Sequence, residues 1–284
     1  MSEHSDTNRF VLPQAAAPAG GDKTLDVAHA GRKTRRNPLA VSNRVGIMVA
    51  KIQPLHKGHT LLLKHMIEDC DTAILAIGST QKGGEVGHPF TYEQRVEMIK
   101  VVFGPLVRCI PLVDIDSLDD NDDWIDYVLD KVVKSNLPVP TDLYSGDSDD
   151  ARWYFNQFAG PQDSVRTSGL VTVHDGAERT GRRLHILDRV QLPINATGVR
   201  TSIERRDEDW KEKVPAKLIP YYEQNYPPHL RTAIRTDAFP ENVPVGTAVI
   251  LNSDGTRYLL KDDGKWRPER KAGAYPKVVE ARRN

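Results

Sequence analysis

Between Val45 and Gly146 the chain alternates short apolar runs with amphipathic helical patterns, and this alternation restricts its fold more than any other feature. The runs are VGIMVA (45–50), TAILAIGS (72–79), RCIPLVDI (108–115) and TDLYSG (141–146). Each is short and bounded by turn-forming residues, and their near-continuous hydrophobicity marks strands covered on both faces. Helical patterns separate them: about His59 to Glu68, TYEQRVEMIKVVF from Thr91, and NDDWIDYVLDKVVKS from Asn121. Thr91 and Gln94 have the spacing of a capping box, and DSDDARWYFNQF opens a further helix with acids in its first turn. Strands at about Ser164 to Val173 and Arg183 to Leu192, a helix from about Gly198 to Arg206, and a helical stretch to about Arg231 complete the series. Such an order implies an α/β fold with a doubly wound parallel sheet.

Domain organisation follows from shifts in pattern. Residues 1–42 lack periodicity and end in the basic run GRKTRRN, as expected of a flexible arm. Residues 43–231 form the main domain. From 232 to 284 the pattern changes to alternating strands around the turns SDG and DDG, the mark of a small β-rich appendage. A unit of that size is expected to pack on the main domain or on a partner.

Lysine plus arginine and aspartate plus glutamate each total 39, so no global charge draws the chain to nucleic acid or to a membrane surface. Any anion site must be local. No apolar run approaches the ~18 residues of a membrane span. The two cysteines, Cys70 and Cys109, read as buried thiols, which points to a soluble protein in the reducing cytoplasm.

A local anion site is visible where the first strand gives way to a helix. His56, Lys57, Gly58 and His59 stand at that junction. Backbone N–H groups and the helix dipole favour an anion there, and two imidazoles add donors for phosphate oxygens. Gly58 permits close approach of the backbone, Gln53 and Pro54 shape the loop, and Lys51 supplies a cation at the strand end. Zinc binding by the His-x-x-His pair is disfavoured, because no cysteine or glutamate is spaced to complete the site.

His-x-Gly-His after a buried strand resembles the signature of the nucleotidyltransferase superfamily. INATGVR (Ile194 to Arg200) is similar to the second motif of its adenylyltransferase branch. Three further segments narrow the resemblance to archaeal-type nicotinamide-nucleotide adenylyltransferases: IGSTQKGGEVGHPFTYEQRVEMI, VDIDSLDDNDDWIDYV, and YSGD at Tyr144 to Asp147. The resemblance covers most of Arg44 to about Gln224. It implies a Rossmann-like fold, catalytic roles for His56, His59, Arg200 and Lys51, and ATP contacts from Gln53, Gly58, Ile194, Asn195, Thr197 and Val199. It also implies that Trp124, Ser79, Gln81, Phe90 and Arg95 bind the nicotinamide nucleotide, with Trp124 stacking on its ring, and that Asp147 marks a further family position or a helix cap. No protein-bound metal is implied beyond Mg²⁺ brought with ATP, and the family tends to form homo-oligomers.

The chain departs from the family pattern at Lys51 and Ile52, where arginine and phenylalanine are usual, and at Asn195, where serine is usual. The expected reaction is in-line attack of the nicotinamide mononucleotide phosphate on the α-phosphorus of ATP, giving NAD and pyrophosphate. A related transferase using phosphopantetheine or CTP, and a non-catalytic nucleotide sensor, are the alternatives.

Overall fold

In the computed structural model, residues 43–115, 121–146, 148–188 and 190–268 are described. The expectations for the arm at 1–42, for Asp147 and for the tail beyond 268 lie outside them.

The apolar runs form the centre of a seven-stranded sheet. Its strands are β1 (Val45–Ala50), β2 (Thr72–Ile77), β3 (Val107–Pro111), β4 (Asp142–Ser145), β5 (Ser164–Ser168), β6 (Val171–Gly176) and β7 (Arg182–Leu187), in the spatial order β3-β2-β1-β4-β7-β6-β5. Strands β3, β2, β1, β4 and β7 are parallel, while β6 and β5 add an antiparallel edge. The sheet is therefore mixed, with a parallel centre.

Period-two alternation within the strands splits the core into two layers. Met48, Leu75 and Ile77 face α1 (Lys57–Asp69) and α2 (Tyr92–Phe103), whereas Ile47, Ile74 and Ala76 face α3 (Asn121–Lys134) and the segment containing the one-turn helix α4 (Ser148–Ala151). Helices α5 (Ala196–Arg205), α6 (Trp210–Lys213) and α7 (Ile219–Asn225) join the first layer through Val199, Ile203, Trp210 and Tyr222.

Four expectations need correction. Helix α1 begins at Lys57, two residues before the expected start, because the two histidines cap it. The expected strand at 164–173 is the hairpin β5–β6, whose two-residue loop contains Gly169 at φ +58°, a conformation that suits glycine. Strand β7 stops at Leu187, because Asp188 Oδ1 turns the chain by accepting from the Val190 amide at 2.9 Å. The helical stretch before residue 231 is broken into short pieces around its prolines.

The C-terminal strands form their own sheet, ordered β11-β10-β9-β8: β8 (Ile234–Thr236), β9 (Ala248–Leu251), β10 (Arg257–Leu260) and β11 (Trp266–Pro268). The two hairpins were legible as SDG and DDG turns; β8, which pairs in parallel with β9, was not. Among the described residues no helix is long and apolar enough to cross a membrane.

Candidate active site

A doubly wound sheet opens a crevice at the carboxyl ends of its strands where the winding reverses. Here that point lies between β1 and β4, since β2 and β3 lie on one side of β1 and β4 and β7 on the other. The loop Lys51 to His56 leaves β1 at this crevice and enters α1.

Four of the loop's carbonyls are held. Lys51 O accepts from Arg95 Nη1 at 2.9 Å, Gln53 O from Arg200 Nη1 at 2.6 Å, and Leu55 O from Tyr222 Oη at 2.7 Å. His56 O accepts from the Thr60 amide and hydroxyl at 3.0 and 3.1 Å. The side chain of Gln53, 2% exposed, closes a two-point clamp on Phe90: Nε2 donates to Phe90 O at 2.7 Å and Oε1 accepts from Phe90 N at 3.0 Å. This over-determination sustains a left-handed backbone (φ +51°) at the buried, β-branched Ile52, an unfavourable conformation for such a residue. The Gln53–Pro54 bond is cis.

His56 and His59 cap α1 reciprocally. Each imidazole accepts, through Nδ1, the other residue's backbone N–H at 3.4 Å, and the rings stack with centroids 3.7 Å apart. An Nδ1 that accepts places the proton of the neutral ring on Nε2, so each ring is set as an Nε2–H donor. A Cβ at Gly58 would stand 3.0 Å from His56 Cε1; the glycine thus makes room for the stacked ring.

The second motif follows β7 and meets the loop on the same layer of the sheet as α1. Asn195 caps α5, its Oδ1 accepting from Gly198 N at 2.7 Å, and Val199 is buried in the core. Arg200 then bridges Gln53 O and Thr197 Oγ1, the latter at 3.0 Å, and so joins segments 147 residues apart. Ile194 O lies 3.8 Å from the Cβ position of Gly58, which brings the two motifs edge to edge.

Phe90 and Arg95, both expected to bind the nicotinamide nucleotide, are wholly buried. The ring of Phe90 is wholly buried against Tyr222 and Tyr226, with centroids 5.5 and 5.7 Å away, so no face is left for a ligand. The Arg95 guanidinium is likewise wholly buried, and desolvation pushes its pKa down to about 10. Both support the site from behind. Ser79, left-handed at φ +52°, donates to Asp114 Oδ1 at 2.8 Å. Exposed Gln81 accepts from Asp114 N at 3.3 Å, and Lys82 pairs with Asp114 at 3.1 Å. Burial acts to raise the Asp114 carboxyl pKa, but the bonds from Ser79 and Lys82 and the Lys82 and Lys51 charges hold it below its ordinary range. Lys51 is exposed, its stem passing over Gly78.

Trp124 is half-buried on the layer containing α3, 5.6 Å from the Tyr127 ring, and hydrogen-bonds to Tyr154. Sequence reasoning missed three members of this region. Tyr222 belongs to no motif, and Asp114 lies in the segments RCIPLVDI and VDIDSLDDNDDWIDYV but carried no role of its own. His88 lay unremarked in the Gly-rich loop; burial, then Lys51 and Lys82, push its pKa down. Among the described residues no group of three His, Cys, Asp or Glu side chains is placed to hold a metal.

A mixed sheet with a parallel centre, two stacked histidines at the switch point and an arginine reaching the same loop from the segment after β7 define a nucleotidyltransferase-like fold. Residues 48–119 match the Cytidylyltransferase-like family. The nicotinamide-nucleotide adenylyltransferase of Methanolobus tindarius is 35% identical over 109 residues, covering 36% of this chain and 61% of that protein. That of Methanocorpusculum labreanum is 30% identical over 176 residues, covering 62% of this chain and 88% of that protein. The chain belongs to the nicotinamide-nucleotide adenylyltransferase family. It spans 61%, 62% and 56% of the length of three of the relatives it matches. A solved structure of NadR protein in complex with NAD and AMP-PNP aligns with 68% of this chain and 48% of its own, at 15% identity and a TM-score of 0.43, a likeness that carries no argument.

Proposed function

We propose that the chain transfers the AMP moiety of ATP to nicotinamide mononucleotide, forming NAD and pyrophosphate. The observation that carries this reading is the meeting of the two motifs: Arg200 on Gln53 O at 2.6 Å, beside two stacked histidines that cap the start of α1 through Nδ1. Family membership supports the same reaction and the same acceptor.

An oxygen of the acceptor phosphate bonds to the α-phosphorus as the bond to the β-phosphate bridging oxygen breaks, and pyrophosphate departs with that electron pair. The acceptor is an anion at neutral pH, so no general base is needed and positioning with charge stabilisation supplies the rate. His56 and His59 donate to triphosphate oxygens, while Arg200 and Lys51 draw off charge gathering on the pyrophosphate. The imidazoles are nitrogen donors, and among the described residues no group of three His, Cys, Asp or Glu side chains is placed to hold a metal; we read Mg²⁺ as part of the Mg·ATP substrate. Gly58, Ile194, Asn195, Thr197 and Val199 shape the ATP side, largely through their main chain. Trp124, Ser79 and Gln81 line the acceptor side. We read residues 43–231 as the catalytic unit and the separate β8–β11 sheet as an appendage.

The test is incubation with Mg·ATP and, in parallel, nicotinamide mononucleotide, nicotinate mononucleotide or phosphopantetheine, with pyrophosphate release and product mass as readouts. NAD formation is expected. Mg·ATP binding without turnover of any acceptor would favour a nucleotide sensor.

A further inference from the structure

We infer that Arg95 is a positioning residue that keeps the ATP-side and acceptor-side loops in register without touching either substrate; this rests on the adenylyl-transfer reading. Its guanidinium is 0% exposed, and none of its four hydrogen bonds goes to a carboxylate. Nη1 donates to Lys51 O at 2.9 Å and to Gly78 O at 2.7 Å, Nη2 to Ser79 O at 3.1 Å, and Nε to Thr91 O at 3.1 Å. One planar fork thus ties together the ends of β1 and β2 and the start of α2.

The carbonyls it holds flank the strained positions. Lys51 O immediately precedes Ile52 (φ +51°), and Gly78 O and Ser79 O bracket Ser79 (φ +52°). Left-handed non-glycine residues persist only where their surroundings over-determine them, and Arg95 contributes to both positions. Ile52 leads into the phosphate loop, and Ser79 into Gln81 and Lys82. A bolt that merely joined helix to sheet would reach one strand and use apolar contacts or an ion pair. A buried, carbonyl-bound guanidinium spanning both loops has a geometry that a lysine, with its compact ammonium, cannot reproduce.

The experiment uses Arg95→Lys in the full chain, with amide hydrogen exchange at residues 51–53 and 78–82, calorimetric titration with Mg·ATP and separately with nicotinamide mononucleotide, and turnover. Exchange at both loops is expected to rise while α3 and β4 keep theirs. Both affinities should weaken together, and kcat/KM should fall about 100-fold, the scale set by a displacement of about 1 Å at a reacting centre. Unchanged loop exchange, or loss of affinity for nicotinamide mononucleotide alone, overturns the assignment; the latter would make Arg95 a direct ligand contact. Arg95→Gln is measured in the same way should the lysine variant not fold, and failure of both to fold would assign Arg95 to the core. Wild-type turnover is followed alongside. If the wild type binds Mg·ATP without turnover, the functional reading fails, while loop exchange still decides the role of Arg95.

Discussion

Gln53 stands in the loop between β1 and α1, where resemblance alone would have it touch ATP, yet its side chain bonds to protein. Gln53→Ala removes both partners of the Phe90 backbone, leaving an N–H and a C=O unpaired beside a residue that is 0% exposed. Each such group costs about 1–3 kcal/mol, so the pair should cost about 2–6 kcal/mol. Against a typical total of about 5–15 kcal/mol, this is a large share of the stability. Urea unfolding followed by tryptophan fluorescence and by circular dichroism gives the difference. Activity should also fall, because the same residue's carbonyl anchors Arg200, but the loss should follow disorder of the loop and so appear in kcat as well as in KM. A Gln53→Ala protein of wild-type stability with only a raised KM for ATP would refute this reasoning and make Gln53 a nucleotide contact.

Other perturbations separate the remaining roles. Arg200→Ala and His59→Ala should each lower kcat by about 10²–10³, the effect of losing one preorganised donor at developing charge, with the fold intact by circular dichroism; a folded, fully active His59→Ala enzyme would sink the mechanism. Trp124→Phe, which keeps an aromatic ring for packing, should chiefly raise KM for nicotinamide mononucleotide in steady-state assays, and an unchanged KM would remove Trp124 from the site. At the opposite end of the sheet, buried Asp142 accepts from Arg44, from His185 at 2.9 Å and from Thr141 at 2.7 Å. Breaking this buried cluster with Asp142→Asn should cost about 3–5 kcal/mol in denaturant unfolding at pH 7. Burial acts to raise the Asp142 pKa, but the bonds from His185, Arg44 and Thr141 outweigh it and hold the pKa well below its ordinary 3.8. Its ionised form therefore stabilises the fold above about pH 4. The gap between wild type and variant should narrow as pH falls below that value.

The sequence by itself determined the parallel α/β architecture, because four apolar runs with helices between them leave few other ways to bury strands on both faces. It also located the helix start proposed to bind phosphate, since His56 to His59 follow directly on a buried strand, and the second motif at Ile194 to Arg200. What only the tertiary structure decided was what each side chain faces. Phe90 and Arg95 lie in a stretch that reads as ligand-binding, but packing turns both inward, and Gln53 spends its amide on Phe90, which lies 37 residues away in sequence. Tyr222, which holds the loop from outside any motif, has no local signature, and nothing local marks Asp114 as the partner of Ser79 and Lys82. The physical reason is common to all of these. Periodicity and capping are set by neighbours within a turn or two, whereas the partner of a buried polar group is set by whichever distant backbone the fold brings to it.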